Sequence, residues 1–265
     1  MADYNFLMKF IITSAGLFVL IIGQTPADDF YRKVTSGVSG NLSSALYATP
    51  NSSGGLGHFQ FRIGASDLLF KYPTYGEWSY LPVPTGVLDI GILRGKSKSQ
   101  IVTGVLAVDV LLKAGLYPKQ SRTQAARPFY GGGLKIGLLK NTLVTPAVAL
   151  NLYYTQIDDL VFGYQDPNLE ARYDKLRIVD ANIALGKHIY GFFPYLALGY
   201  KYQMVKGRHI QRSAPSPEYV PYDANIGAFS GLVGAEWKVL GLGLYSEIIF
   251  SGTSPGIAIG IGSGR

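Results

Sequence analysis

Eight charged residues stand singly within otherwise apolar stretches of the sequence. The basic ones are Arg62, Lys113, Lys135 and Lys201, and the acidic ones are Asp89, Asp109, Glu236 and Glu247. A charge that is removed from water must be paired or hydrated, so these residues could form ion pairs that fill a polar core. The same residues could instead line a narrow path for a solute. The sequence leaves both alternatives open.

Groups that could act in catalysis or bind a metal carry no recognisable spacing. His209 and Asp223 belong to one predicted loop, 206–223, and Asp158 and Asp159 to another, 157–172, but no motif connects them. No Ser is marked as a nucleophile by a nearby His. The chain has no Cys and only three scattered His residues, which argues against a metal site. We therefore expect no enzymatic activity, no metal and no cofactor.

The isolated charges recur on one face of segments whose other face is apolar. In residues 101–117 every even position is apolar or Gly, whereas Thr103, Asp109 and Lys113 occupy odd positions. This period of two is that of a β-strand. A long strand with charges on one side only is typical of strands that span a membrane, with lipid outside and a polar lumen inside.

Other segments repeat this alternation and predict an all-β fold, an antiparallel up-and-down transmembrane β-barrel of about ten strands. The predicted strands cover residues 58–69, 83–94, 101–116, 128–140, 143–156, 173–188, 191–205, 224–238, 241–250 and 255–262. Long and tight connections alternate along the chain. Because bacterial barrels have long outer loops and short periplasmic turns, this alternation predicts that both termini are periplasmic. In the sixth strand the apolar parity changes between Ile178 and Ala181, which predicts a bulge.

Composition agrees with a membrane barrel and limits the expected partners. Only 15% of the 265 residues are charged, and the chain contains 33 Gly and 19 Tyr, an unusual combination for a soluble domain. The net charge of +7 comes from basic residues dispersed over predicted connections, not from the basic, aromatic face typical of nucleic-acid binding. We expect contact with outer-membrane lipid and lipopolysaccharide phosphates, and none with nucleic acid. The oligomeric state stays open.

The N-terminal region predicts a division of the chain into three parts. Residues 1–27 have the form of a secretory signal peptide, because the mostly apolar residues 10–23 follow Lys9 and precede small residues. Residues 28–57 contain a helix and a Gly-rich lead-in. Residues 58–265 form the predicted barrel domain.

A helical period replaces the strand period directly after the signal peptide. Apolar residues recur there at every fourth position: Phe30, Val34, Val38 and Leu42. They predict a short amphipathic helix that tertiary contacts must hold in place. One interpretation is a plug that closes the lumen from its periplasmic end, against a wall lined by Gly131, Gly133 and Gly137. The other is an appendage outside the barrel.

Over residues 58–265 the chain resembles bacterial outer-membrane β-barrel proteins as a class. It is also weakly similar to uncharacterised barrel families in which a short helix and a Gly-rich step, here residues 54–59, precede the first strand. The resemblance implies an outer-membrane location and insertion by the barrel-assembly machinery. The charged lumen and the amphipathic helix together favour a porin-like passive channel or transporter for small or apolar molecules with a helix plug. The alternative is a non-conducting structural or surface-binding barrel with a lumen filled by side chains.

Overall fold

Ten antiparallel strands form a closed barrel in the computed structural model, which describes residues 26–43, 49–68, 70–71, 78–79, 82–97, 103–119, 125–162, 169–211, 218–252 and 254–263. Each strand pairs with its neighbours in sequence, and the last pairs with the first. The strands are β1 (Phe59–Leu68), β2 (Val83–Leu93), β3 (Ala107–Tyr117), β4 (Arg127–Leu139), β5 (Ala147–Phe162), β6 (Leu169–Gly186), β7 (Phe192–Gln211), β8 (Glu218–Val239), β9 (Leu242–Ser251) and β10 (Ser254–Ser263). The predicted barrel of about ten antiparallel strands is confirmed.

One helix, α1 (Pro26–Ser43), precedes the barrel, as the sequence predicts. Phe70–Lys71 and Trp78–Ser79, which follow β1 in the sequence, pair as a small separate hairpin. Within the described ranges, no helix is both long and apolar enough to cross a membrane. The predicted signal peptide lies outside the described residues except for its last two positions.

Two-residue turns connect strands at one end of the barrel, which we call the turn end; the opposite end is the loop end. Tyr190 and Gly191 have φ values of 45° and 81°, and Leu240 and Gly241 have values of 51° and 82°. Two successive residues with positive φ make the turn type whose twist matches that of paired strands. Both turns are therefore tight hairpins that leave little chain outside the barrel wall.

The outer wall is a belt of exposed apolar side chains. In β9, for example, exposed and buried positions alternate along the whole strand, so that one face is entirely external. The large exposed residues of the belt include Leu112, Leu134, Leu152, Leu198, Val233, Ile248 and Ile257. Such a belt is typical of a wall that faces lipid.

Several predicted strand ends are wrong: β5 covers Ala147–Phe162 and not 143–156, and β8 begins at Glu218 and not at residue 224. Two further errors have a local cause. β3 begins at Ala107 and not at residue 101, because Leu106 has a φ of 60° and Val105 instead bridges to Lys96. In β6 the register shift lies between Tyr173 and Lys175, not between Ile178 and Ala181. Parity is therefore continuous through Ile178, which points inward although it is apolar. Ile178 can point inward because it packs in an apolar region inside the barrel, which α1 helps to form.

Candidate functional site

The lumen is filled by the N-terminal part of the chain, and its loop-end half is apolar. Val34, Val38 and Leu42 are fully buried, whereas the side chain of Phe30 lies outside the described residues. They belong to one apolar cluster with inward residues of the strands, among them Tyr117, Phe129, Ile157, Leu160, Tyr173, Leu176, Ile178 and Val205. Burial of each aliphatic side chain contributes about 1.5–3 kcal/mol. This burial holds a helix of weak intrinsic propensity inside the barrel.

Polar contacts show that α1 packs towards the loop end. The Thr35 hydroxyl lies 3.1 Å from the Tyr173 hydroxyl, near the start of β6 at that end. The Ser66 hydroxyl, near the loop end of β1, donates to the carbonyl of Asn41 at 3.1 Å. The structure thus places the helix inside the loop-end half. The sequence had predicted closure from the opposite end, the one with the short turns.

Residues 49–57, which we call the lumen segment, carry the chain from α1 to the turn end. Arg62 Nη1 donates to Thr49 Oγ1 at 2.6 Å. Lys135 Nζ donates to the carbonyl of Asn51 at 3.2 Å. The segment therefore fills the half of the lumen that the helix leaves free, held there by charged side chains of β1 and β4.

The glycine-lined wall of β4 faces this segment and an aromatic ring, not the helix. A methyl group placed on Gly137 would lie 3.6 Å from Ser52 Cβ. A methyl group on Gly133 would lie 2.6 Å from Tyr153 Cδ1. The predicted packing of α1 against this wall is therefore wrong, because the lumen segment and Tyr153 occupy the space.

A buried cluster of three charges lies beside the lumen segment. Asp89 Oδ2 accepts from Arg62 Nη2 at 3.0 Å and from Lys135 Nζ at 2.6 Å. Ser53 Oγ donates to Asp89 Oδ1 at 2.8 Å, and Ser53 N donates to Asp109 Oδ2 at 2.7 Å. Each of the three charged side chains is 0% exposed. One carboxylate thus pairs with two cations, and the lumen segment completes its hydrogen bonds.

A second polar cluster lies on β6 and β7 and was missed in part by the sequence analysis. Lys201 Nζ lies 3.8 Å from Asp180 Oδ2, and Asn182 Nδ2 donates to Asp180 Oδ1 at 3.4 Å. Asp180 escaped prediction because the expected bulge interrupted the parity of β6 at that point. The signal that could have found it is the shared even parity of Ile178, Asp180 and Asn182.

The remaining predicted lumen residues are also buried. Lys113 Nζ donates to the carbonyl of Leu42 at the end of α1, and Tyr195 donates to Glu247 Oε1 at 2.6 Å. Glu236 is 7% exposed. All eight charged residues that the sequence singles out therefore point inward, but their partners differ from a simple pairing of four cations with four anions.

The candidate catalytic residues lie at the loop end, where the described side chains of Asp158 and Asp223 contact different partners. Asp223 faces Lys206 across 3.9 Å, with both side chains mostly exposed. Asp158 accepts from Gln156, and the side chain of His209 lies outside the described residues. In the part of the chain that the structure describes, no three His, Asp or Glu side chains are grouped as a metal would require.

No family model and no curated protein matches the chain. Among solved structures, the translocator domain of autotransporter NalP from Neisseria meningitidis is similar, with a TM-score of 0.43 and 9% sequence identity. The similarity covers 78% of this chain and 88% of that domain. Similarity at this level says nothing about activity.

Proposed function

We propose that the protein is an integral outer-membrane β-barrel that provides a passive path for small molecules and is held closed by α1 and the lumen segment. The observation that carries the proposal is the charged wall behind the lumen segment, where Arg62, Lys135, Asp89 and Asp109 all contact that segment. If the segment leaves, water can hydrate these groups in its place. A wall with charges of both signs then surrounds a polar path.

The outer surface supports a membrane location. The apolar belt meets aromatic residues towards both ends, as in the girdles of membrane barrels. At the turn end the rings of Phe192 and Trp237 lie 5.1 Å apart. Towards the loop end, Tyr130, Tyr154 and Tyr202 are exposed on the same outer face.

We call α1 and the lumen segment together the seal. The seal can leave the lumen without unfolding the barrel wall. The lumen segment is held by a few hydrogen bonds to charged side chains, each with a net contribution of about 1.5–3 kcal/mol. The barrel itself is closed by ten continuous strand pairings that do not involve the N-terminal part of the chain. Displacement of α1 and the segment therefore breaks few of the contacts that hold the barrel together.

The second candidate is a non-conducting structural or surface-binding barrel. Burial of the lumen charges favours it, since Arg62, Asp89 and Lys135 are fully buried and mutually paired. Side chains of this kind are sufficient to fill the interior of a small barrel without forming a path. The two candidates differ in one measurable property, the conductance of the barrel after removal of the seal.

Planar-bilayer conductance separates the two candidates. We would compare the full chain with deletions of residues 28–46 and 28–53, after showing by strand-dominated circular dichroism and heat-modifiable gel mobility that each barrel folds. The full chain should conduct little, the first deletion slightly more, and the second most, because only the second removes the contacts at Thr49 and Ser53. A folded barrel without residues 28–53 that conducts no better than the full chain would establish the filled, non-conducting barrel.

A point substitution in the full chain gives an independent test. Val38 is fully buried in the apolar cluster, so Val38→Asp should expel the helix and raise the frequency of channel openings. Val38→Ala is the matched control, because it leaves the cluster apolar. Equal opening frequencies for the two variants would argue against α1 as part of the seal.

A further inference from the structure

A cavity at the turn end, which we call the turn-end pocket, has features that the conduction path does not use. Its volume is about 640 Å³, and it lies between the lumen segment, the end of β2 and the connection from β4 to β5. The polar residues around it include His58, Arg94, Ser97, Thr103, Lys140 and Asn141. Pockets of this volume commonly hold small molecules.

The turn-end pocket carries positive charge without a compensating carboxylate. Arg94 and Lys140 are both exposed, and among the described residues that line the pocket none is acidic. Asp89 and Asp109 do not line the pocket, and both accept a hydrogen bond from Ser53, which does. Hydroxyl groups and a side-chain amide supply further hydrogen-bond donors. The chemistry of the lining therefore fits an anion.

Glycines fix the distance between the walls of the pocket. A methyl group on Gly55 would lie 2.9 Å from Arg94 Cβ, and one on Gly104 would lie 2.6 Å from Lys140 Cβ. Both glycines have positive φ, 99° and 72°, which other residues rarely adopt. The backbone therefore approaches both basic residues closely and holds them at set places around the cavity.

We propose that the turn-end pocket binds the phosphate or carboxylate group of a small anionic molecule, with Arg94 and Lys140 as its cationic contacts. An Arg guanidinium can hold two anion oxygens at once, and a Lys ammonium adds a compact charge. The anionic group can belong to a soluble molecule or to a lipid headgroup at the membrane surface. The site does not require the barrel to conduct.

Calorimetric titration of the full chain with inorganic pyrophosphate, in a neutral detergent, tests the site. We expect saturable binding that the double substitution Arg94→Gln and Lys140→Gln weakens at least about tenfold, because each substitution removes one charge-assisted contact. Lys119→Gln is the matched control, since Lys119 is exposed just beyond β3 at the loop end. It removes one positive charge outside the pocket and should leave the affinity unchanged.

Absence of saturable binding by the unmodified chain, or an equal loss of affinity in Lys119→Gln, would overturn the proposal. If the double variant fails to show heat-modifiable mobility, Arg94→Gln alone takes its place. In addition, a rise from about 50 to about 500 mM NaCl must then weaken the binding of pyrophosphate to the unmodified chain. The same titration with the protein in lipid nanodiscs then identifies the source of the anion. Competition by phosphatidylglycerol against pyrophosphate assigns the site to lipid headgroups, and undiminished pyrophosphate binding assigns it to soluble anions.

Discussion

Neutralising Asp89 should destabilise the protein more than any other single loss of charge in the lumen. Its Oδ2 accepts from both Arg62 and Lys135, at 3.0 and 2.6 Å, and its Oδ1 accepts from Ser53 at 2.8 Å. Asp89→Asn keeps the size of the side chain. It nevertheless removes the carboxylate that both fully buried cations contact, and it can turn an amide donor towards them.

The expected magnitude follows from burial. Breaking a buried ion pair by removing one partner costs about 3–5 kcal/mol, because a charge is left uncompensated. The matched control is Asp223→Asn, which removes a carboxylate that lies 3.9 Å from Lys206 with side chains 70% and 72% exposed. An exposed pair of this kind contributes about 0–1 kcal/mol.

The free energy of unfolding can be measured by guanidinium titration of the refolded barrel, with tryptophan fluorescence as the signal. Asp89→Asn should lower it by at least about 3 kcal/mol. Adding Lys135→Met should recover part of the loss, since one of the two cations that contacted the lost carboxylate is then removed. A double-mutant cycle measures this coupling. A cost for Asp89→Asn no larger than that for Asp223→Asn would refute the view that the cluster is a dry, mutually paired site.

Two further predictions concern the wall. Leu112 is 50% exposed on the outer face near the middle of β3. Leu112→Arg should therefore lower the free energy of unfolding in a bilayer by about 2–4 kcal/mol, and Leu242→Arg at the turn end by only about 0–1 kcal/mol. Equal costs in equilibrium unfolding would mean that the belt does not face lipid. A methyl group on Gly133 would lie 2.3 Å from the carbonyl oxygen of Leu152, whereas one on Gly231 first meets the flexible Leu198 Cδ2 at 3.2 Å. Gly133→Ala should therefore cost about 1–3 kcal/mol and Gly231→Ala less than about 1, and similar melting temperatures for the two variants would contradict this reading.

Properties that depend on residues close in sequence could be predicted from the sequence alone. Leu112 and Lys113 are adjacent and must point to opposite faces of a strand, so the outer and inner faces follow from parity alone. Repetition of that parity between turn signals predicts an antiparallel barrel of about ten strands. The amphipathic character of α1 is equally local, because Val34, Val38 and Leu42 recur at helical spacing.

Strand ends were harder to predict because they depend on distant partners. Leu106 belongs to the same alternating run as Leu112, yet the bridge between Lys96 and Val105 and the left-handed backbone at Leu106 end the strand there. At Ile178 the rule that inward residues are polar failed, since the interior at that level is apolar. The local pattern carries no information on what occupies the lumen.

The partners of the lumen charges and the place of the plug were decided only by the closed barrel. Asp89 on β2 meets both Arg62 on the neighbouring β1 and Lys135 on β4, which is separated from β2 by β3. Such a meeting depends on the tilt and stagger of the strands and on a lumen narrow enough for side chains to cross. The position of α1 likewise depends on which half of the interior is apolar, a property shared by residues from many strands. Sequence alone therefore determines which side chains point inward, whereas only the three-dimensional closure determines which of them touch.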